Sequence, residues 1–327
     1  MNIEDNKNSI LVLGAGGFIG TNLCRRLISD GLNVKLFDRP GTNYDAIVKY
    51  TSELNKTNFE LIEGDFGSFS DARLSNDILG DVDTVYHLIS TTCPTNSNQD
   101  IAGEIESNVV ATIRFLDACV ANKVSKIVFL SSGGTVYGKE HDGIVSEEDE
   151  ACPISSYGIQ KLTIEKMLYL YHELYELDYR IVRLSNPFGP YQRPNGVQGV
   201  VSTFTWKAMK DETISIYGDG SVVRDYIYID DAINGIVNIA SDNAKYRLYN
   251  LGSGVGTSVN QVAECISNAL NKKLDISYTP GRQVDVPKNV LNIARYITEF
   301  GNPVSISLEE GIRKLSNFYS DLIYEKD

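Results

Sequence analysis

The chain has 327 residues, 42% hydrophobic and 22% charged, which fits two modules or one large α/β domain with an appendage and excludes disorder and low complexity. Its net charge of −13 excludes a polyanion-binding surface, because counterion release on nucleic acid needs clustered Lys and Arg. The N-terminus lacks the layout of a secretory signal, no apolar run approaches the ~18 residues of a membrane span, and five scattered cysteines fit reduced thiols rather than disulfides or a metal site, so a cytoplasmic protein with no membrane partner is expected.

Ile10 to Leu13 form a continuous apolar run, the mark of a strand buried on both faces. The chain then turns through Gly14, Gly17 and Gly20 into an amphipathic helix that opens at Phe18 and Ile19 and stops at Gly31. Gly14 permits a tight turn, Gly17 lets the backbone approach a pyrophosphate, and Gly20 lets the helix pack on the strand, while the helix N-terminus offers unpaired N–H groups. Asn33 to Phe37 give a second strand ending in Asp38, an acid placed to hydrogen-bond both hydroxyls of an adenosine ribose.

Gly41 to Asn58 read as a polar, mobile stretch. Phe59 to Ile62 give a third strand ending in Gly64 and Asp65, Thr84 to Ile89 a fourth and Lys126 to Leu130 a fifth, with a long helical pattern from Ile101 to Ala121. This alternation implies right-handed crossovers and a parallel doubly wound sheet, with ligands at the C-terminal ends of the strands. A helix from Ser156 to Leu177 and a strand from Arg180 to Arg183 follow, and beyond Asn186 the rhythm breaks. Short elements are expected at Thr213 to Tyr217, Arg224 to Ile229 and Arg247 to Leu251, and capping boxes at Ser258 with Gln261 and at Ser307 with Glu310 open two later helices.

Tyr157 and Lys161 stand four apart on the predicted helix, so they share one face. A free tyrosine has a pKa near 10, so a tyrosine base at pH 7 needs about 4 kcal/mol of preferential stabilisation of the phenolate, part of which a neighbouring ammonium supplies. His87, His141 and His172 form no constellation, and His87 at a strand end reads as structural.

The glycine turn, Asp38, Asp65, Tyr86 to Ser90, Asn108, LSSGGTVYG from Leu130 to Gly138 and SSYGIQK with Tyr157 and Lys161 occur in that order. Together they resemble the extended short-chain dehydrogenase/reductase family, and within it the nucleotide-sugar epimerases and dehydratases, over nearly the whole chain. The resemblance implies NAD as cofactor, with Asp38 on the adenosine ribose, Asp65 and Phe66 at the adenine, and Leu88, Ile89 and Ser90 on the nicotinamide side. It gives Asn108 the task of fixing a helix near the active site, and Lys161 a ribose hydroxyl as well as Tyr157. The acid at Asp38 disfavours a 2′-phosphate by like charge.

The same resemblance extends to RLSNPFGP from Arg183, where Asn186 would bond the sugar nucleotide, and to RDYIYIDD and GRQVDV, whose Arg224 and Arg282 would clamp its diphosphate. A structural alternative for Arg224 is an internal salt bridge to Asp225 or Asp230. Fold and organisation are thus expected as an NAD-binding Rossmann domain at 1–185, which includes the Tyr157 helix. A smaller C-terminal α/β substrate lobe is expected at 186–327, with room for excursions back to the sheet. A homodimer is implied, built from the helices that carry Asn108 and Tyr157.

One position departs from the family pattern. The hydroxyl that usually precedes the VYG tyrosine by four residues is Gly133 here, so Thr135 or Ser132, or a water, would have to relay the proton, and a serine put back at Gly133 is expected to be tolerated. Gly134 and Thr135 replace the Asp-Glu pair of the dehydratases, which argues against 4,6-dehydration. The implied activity is epimerisation of a nucleotide sugar at C4 of a UDP-hexose through a 4-keto intermediate. The alternatives are a 4-keto-sugar reductase, a 4,6-dehydratase, or a non-catalytic sensor of NAD or nucleotide sugar.

Overall fold

The first apolar run forms β1 (Ser9–Leu13), in which Leu11, Val12 and Leu13 have no exposed surface. The computed structural model describes residues 8–92, 97–139, 143–194, 199–281 and 286–324. After β1 come α1 (Phe18–Ser29), β2 (Asn33–Asp38), α2 (Asp45–Glu53), β3 (Phe59–Glu63), a 3₁₀ turn at Phe66–Ser70, α3 (Ala72–Leu79) and β4 (Val82–His87). Helix α1 stops in a Schellman arrangement: Leu32 N bonds Leu27 O, Gly31 N bonds Ile28 O, and Gly31 takes φ +85°.

The stretch read as mobile holds α2. Its buried positions Tyr44, Ile47 and Thr51 recur at helical spacing, a stripe too thin to stand out among polar neighbours. The fourth strand ends at His87, not Ile89, its last ladder bond running from Leu88 N to Leu13 O. The long helical pattern divides into α4 (Ile101–Glu104), a π-helical segment (Ile105–Val110) and α5 (Ala111–Ala121).

Next are β5 (Lys126–Ser132), β6 (Ile144–Val145), α6 (Ser156–Tyr175), β7 (Asp178–Leu184), β8 (Asn186–Phe188), α7 (Val200–Met209), β9 (Ile214–Tyr217) and β10 (Val223–Tyr228). The chain continues through α8 (Ile229–Ile239), β11 (Leu248–Leu251), β12 (Gly256–Ser258), α9 (Val259–Leu270), β13 (Ile276–Thr279), β14 (Lys288–Leu291), α10 (Ala294–Phe300) and α11 (Leu308–Tyr324). Both bonds of the Ser258–Gln261 capping box form, and Ser307 Oγ accepts the Glu310 amide.

A seven-stranded sheet runs in the order β11-β7-β5-β4-β1-β2-β3. The pairs β1 with β2, β2 with β3, β1 with β4 and β4 with β5 are parallel, as a doubly wound Rossmann sheet requires. The chain moves outward from β1 in one direction and then in the other from β4, so the switch point lies between β1 and β4, where such sheets bind ligands. A second sheet runs β12-β10-β14-β6 with β8 on β10, and β13 pairs with β9.

The chain divides into two compact units, Met1–Ser131 with Pro153–Val182 and Tyr246–Leu248, and Ser132–Cys152 with Arg183–Lys245 and Tyr249–Asp327. Residues 132–152 therefore leave the expected N-terminal domain, because β6 pairs with β14 in the second sheet. The allowance for an excursion back is used by β11, which joins the seven-stranded sheet. Among the described residues, no helix is long and apolar enough to cross a membrane.

Candidate active site

In the first unit, β1 delivers the chain to Gly14 at φ +86°, and a Cβ there would stand 3.3 Å from Ile89 N, so the turn lies against the end of β4. Gly17 is the N-cap of α1 and offers no side-chain acceptor, leaving the Phe18, Ile19 and Gly20 end of the helix uncapped. A Cβ on Gly20 would come within 2.1 Å of the Gly14 carbonyl, so helix and turn meet backbone to backbone. Asp38 is brought to the same turn: its carboxylate accepts Gly16 N at 3.0 Å and Arg39 N at 2.8 Å.

Gly64 N bonds Asp38 O, which sets Asp65 beside Asp38. Asp65 caps the 3₁₀ turn through Gly67 N at 2.7 Å, and the Phe66 ring packs edge-on against Phe69 and His87. Ile89 N borders Gly14, and Ser90 Oγ donates to Thr92 O. Gly14, Gly17, Gly20, Asp38, Asp65 and Leu88 to Ser90 thus surround one crevice of the first unit. Its uncapped helix end suits a diphosphate and its carboxylate a ribose, which fits NAD.

Helix α6 starts at Ser155, whose hydroxyl accepts Gly158 N. Lys161 is 5% exposed, and its Nζ donates to Leu130 O at 2.9 Å and lies 4.7 Å from the Phe129 ring centroid and 5.7 Å from that of Tyr157. Burial pulls its pKa down to about 8, against the opposing charge of Glu165. Burial first, and Lys161 second, push His87 down to about 3, so this imidazole is neutral. It bonds Thr112 Oγ1 inside an aromatic cluster, in line with a structural role.

Asn108 lies in the π-helical segment and ties three pieces together. Its Oδ1 accepts Thr91 N, while Nδ2 donates to Thr91 Oγ1, Glu104 O and Gln160 Oε1. Gln160 in turn donates to Glu104 Oε2 and Ser156 Oγ. This buried amide pair fixes α6 one residue ahead of Lys161, and a local π-helix at such a place is common near functional sites. Gln160 escaped sequence reading, although its place next to Lys161 was a usable signal.

In the second unit, Ser132 ends β5, and the loop after it holds Gly133 and Thr135. Thr135 Oγ1 is buried and makes no hydrogen bond among the described residues. Gly133 N bonds Leu184 O, its carbonyl accepts Asn289 Nδ2, and a Cβ there would stand 2.6 Å from Leu291 and 3.1 Å from the Arg183 carbonyl. A serine at Gly133, expected from the sequence to be tolerated, would have to displace the Leu291 methyl groups to fit. The VYG tyrosine, Tyr137, donates to Asn250 Oδ1 and is raised to about 12 by burial, which makes it a structural hydroxyl.

Asn186 and Arg224 come together through β8 and β10: Asn186 Nδ2 donates to Asp225 O at 2.9 Å, and the Arg224 guanidinium donates to Val223 O and Val286 O. Asp225, one of the two acids weighed as a partner for Arg224, accepts from Ser253 N and Oγ, Gly254 N and Leu291 N. Arg282 lies outside the described residues. No group of three or more potential metal ligands occurs among the described residues.

The profile described as the NAD dependent epimerase/dehydratase family matches residues 10–252. The chain is 32% identical over 309 residues to a putative UDP-glucose 4-epimerase of Methanocaldococcus jannaschii, covering 94% of this chain and 97% of that one. It is also 32% identical over 317 residues to a dTDP-4-dehydro-6-deoxyglucose reductase of Escherichia coli, with 96% and 98% covered. The UDP-glucose 4-epimerase of Thermotoga maritima, solved with UDP-glucose, superposes with a TM-score of 0.88 at 28% identity, covering 96% of this chain and 99% of that one.

The packing at Gly133 is directly testable. Gly133→Ser is expected to cost about 1–3 kcal/mol through overpacking against Leu291. It should appear as a lower urea midpoint with an unchanged slope, and an unaltered midpoint would show that Leu291 yields.

Proposed function

Because the chain belongs to the NAD-dependent epimerase/dehydratase family, we propose that it epimerises a nucleotide sugar at C4 of a UDP-hexose. The observation that carries this reading is the Tyr157 and Lys161 pair on α6, with the lysine docked on the end of β5. Bound NAD supplies a reversible hydride acceptor, so that the sugar passes through a 4-keto state and returns with either configuration. Tyr157 takes the proton of the C4 hydroxyl and later returns it. Lys161 keeps the phenolate favoured: with its pKa at about 8 it is an ammonium at neutral pH, and it loses that charge as the pH rises through that value. Asp38 holds the ribose by accepting its hydroxyls, and Gly17 to Gly20 meet the diphosphate with N–H donors.

The second unit supplies the sugar-nucleotide ligands in this reading. Asn186 bonds the sugar nucleotide, and Arg224 with Arg282 holds its diphosphate, a task suited to planar guanidinium groups. The buried hydroxyl of Thr135, without a hydrogen-bond partner among the described residues, serves as the proton relay in place of the absent Gly133 side chain, with Ser132 second. The 32% identity to the E. coli reductase supports one alternative, reduction of a 4-keto sugar with NADH consumed stoichiometrically. A cytoplasmic setting agrees with the free thiols of Cys24, Cys119, Cys152 and Cys265.

We further propose a homodimer. The helical segments that carry Asn108 and Tyr157 expose apolar side chains, among them Ile101, Ile105, Ile159, Leu170 and Leu174.

Three outcomes check these readings. Purified protein given UDP-glucose, UDP-galactose and their N-acetyl and uronate counterparts, with no NADH, should interconvert one C4 pair; turnover only with stoichiometric NADH would favour the reductase. Thr135→Val should lower kcat about 10²-fold with little change in KM, and Ser132→Ala less. If both variants keep full kcat, no side-chain hydroxyl of this loop relays the proton. Light scattering should give twice the chain mass at micromolar concentration, and a monomer there would exclude the dimer.

A further inference from the structure

We propose that Glu165 is a positioning residue for the reaction: clamped by Ser131, it keeps Lys161 charged and aligned with Tyr157. The three residues stand four apart on α6, so they follow one another along a single face. Lys161 and Glu165 dock on consecutive residues of β5. The ammonium donates to Leu130 O at 2.9 Å, and the Glu165 carboxylate accepts Ser131 Oγ at 2.5 Å. All of this is interior, with Lys161, Glu165 and Ser131 each no more than 5% exposed.

A carboxylate at that depth is costly unless donors or a counter-charge meet it. Ser131 supplies one donor, and the ammonium one turn away on the same face supplies the charge. The relation is mutual, since burial works against the Lys161 charge and the Glu165 charge opposes that effect. The other ionisable neighbours do not take over this task. Tyr157 precedes Lys161 on the same face, and His87 on β4 is neutral. The acids of the neighbouring helical segments are engaged elsewhere, Glu104 with Gln160 and Asp117 with Tyr171. Ser131 and Glu165 therefore form a strut between β5 and α6 that fixes the height of the lysine against the strand end.

The catalytic meaning of the strut rests on the role given to Lys161 above, but its electrostatics can be read without turnover. The Lys161 Nζ resonance, identified by its loss in Lys161→Arg, is followed by ¹⁵N NMR from neutral to alkaline pH in the full-length protein. Glu165→Gln should move its deprotonation midpoint to lower pH by about one pH unit, the scale of one lost neighbouring charge. Glu165→Asp should restore most of the shift, and Ser131→Ala should move it in the same direction by less. In turnover assays the alkaline limb of kcat should move in parallel, with KM unchanged.

An unmoved or raised midpoint in a folded Glu165→Gln protein would overturn the proposal. If that variant does not fold, an unmoved midpoint in Ser131→Ala would do so. A shifted midpoint in a protein that turns over no nucleotide sugar would leave the Glu165 strut standing and remove the epimerase reading instead.

Discussion

An ammonium buried to 5% exposure is the constraint around which the first unit is arranged. Water cannot solvate Lys161, so the protein has to supply an acceptor, a polarisable face and a counter-charge. They come from Leu130 O, the Phe129 ring and Glu165. Two of these belong to the last turns of pleat of β5, and that strand end is therefore bound to α6. Setting α6 at that height falls to Gln160 and Asn108, which link it to the π-helical segment and to Thr91 beyond β4. The irregular segment at Ile105–Val110 thus accompanies the positioning of one lysine.

The glycine turn answers a different demand, the approach of backbone to backbone. Gly20 sits on the Gly14 carbonyl, and Asp38 accepts from Gly16 N, so the acid proposed to hold the ribose is fixed by the turn itself. In the second unit the residues proposed to hold the sugar nucleotide, Asn186 and Arg224, adjoin Asp225, which is fully buried. Four donors from the loops after β11 and from β14 satisfy its carboxylate, although burial still raises its pKa. That arrangement leaves the adjacent Arg224 to bond the carbonyls of Val223 and Val286.

Much of this was legible in the residues because the strongest signals are periodic. The strand, turn, helix and strand from Ser9 to Asp38 were readable almost to the residue, since buried parallel strands are apolar runs and α1 ends at a glycine that has to take φ +85°. Helix α2 was missed because only Tyr44, Ile47 and Thr51 of its length turn inward. The π-helical segment left no trace in the residue spacing, and the Asn108 bonds made within it are tertiary ones to Thr91 and Gln160. The Tyr157 and Lys161 pair was evident from spacing, whereas Glu165, four residues further along the same face, was not singled out. What spacing could not give was the strand residue that receives it, because Ser131 is paired by tertiary packing alone.

The assignment of 132–152 shows why domain boundaries are harder to read than elements. Nothing in the sequence near Ser132 breaks the α/β rhythm; the change comes from Ile144–Val145, two residues that pair with Val290 and Leu291 far along the chain. That pairing brings β14 to the loop after β5, and Leu291 then fills the volume a side chain at Gly133 would occupy. The glycine thus sits where packing inside the second unit leaves little room for a side chain. A hydroxyl lost at that position for a packing reason leaves the chemical demand unchanged. The buried Thr135 hydroxyl two residues on has no hydrogen-bond partner among the described residues, which is why it is proposed ahead of Ser132 to meet that demand.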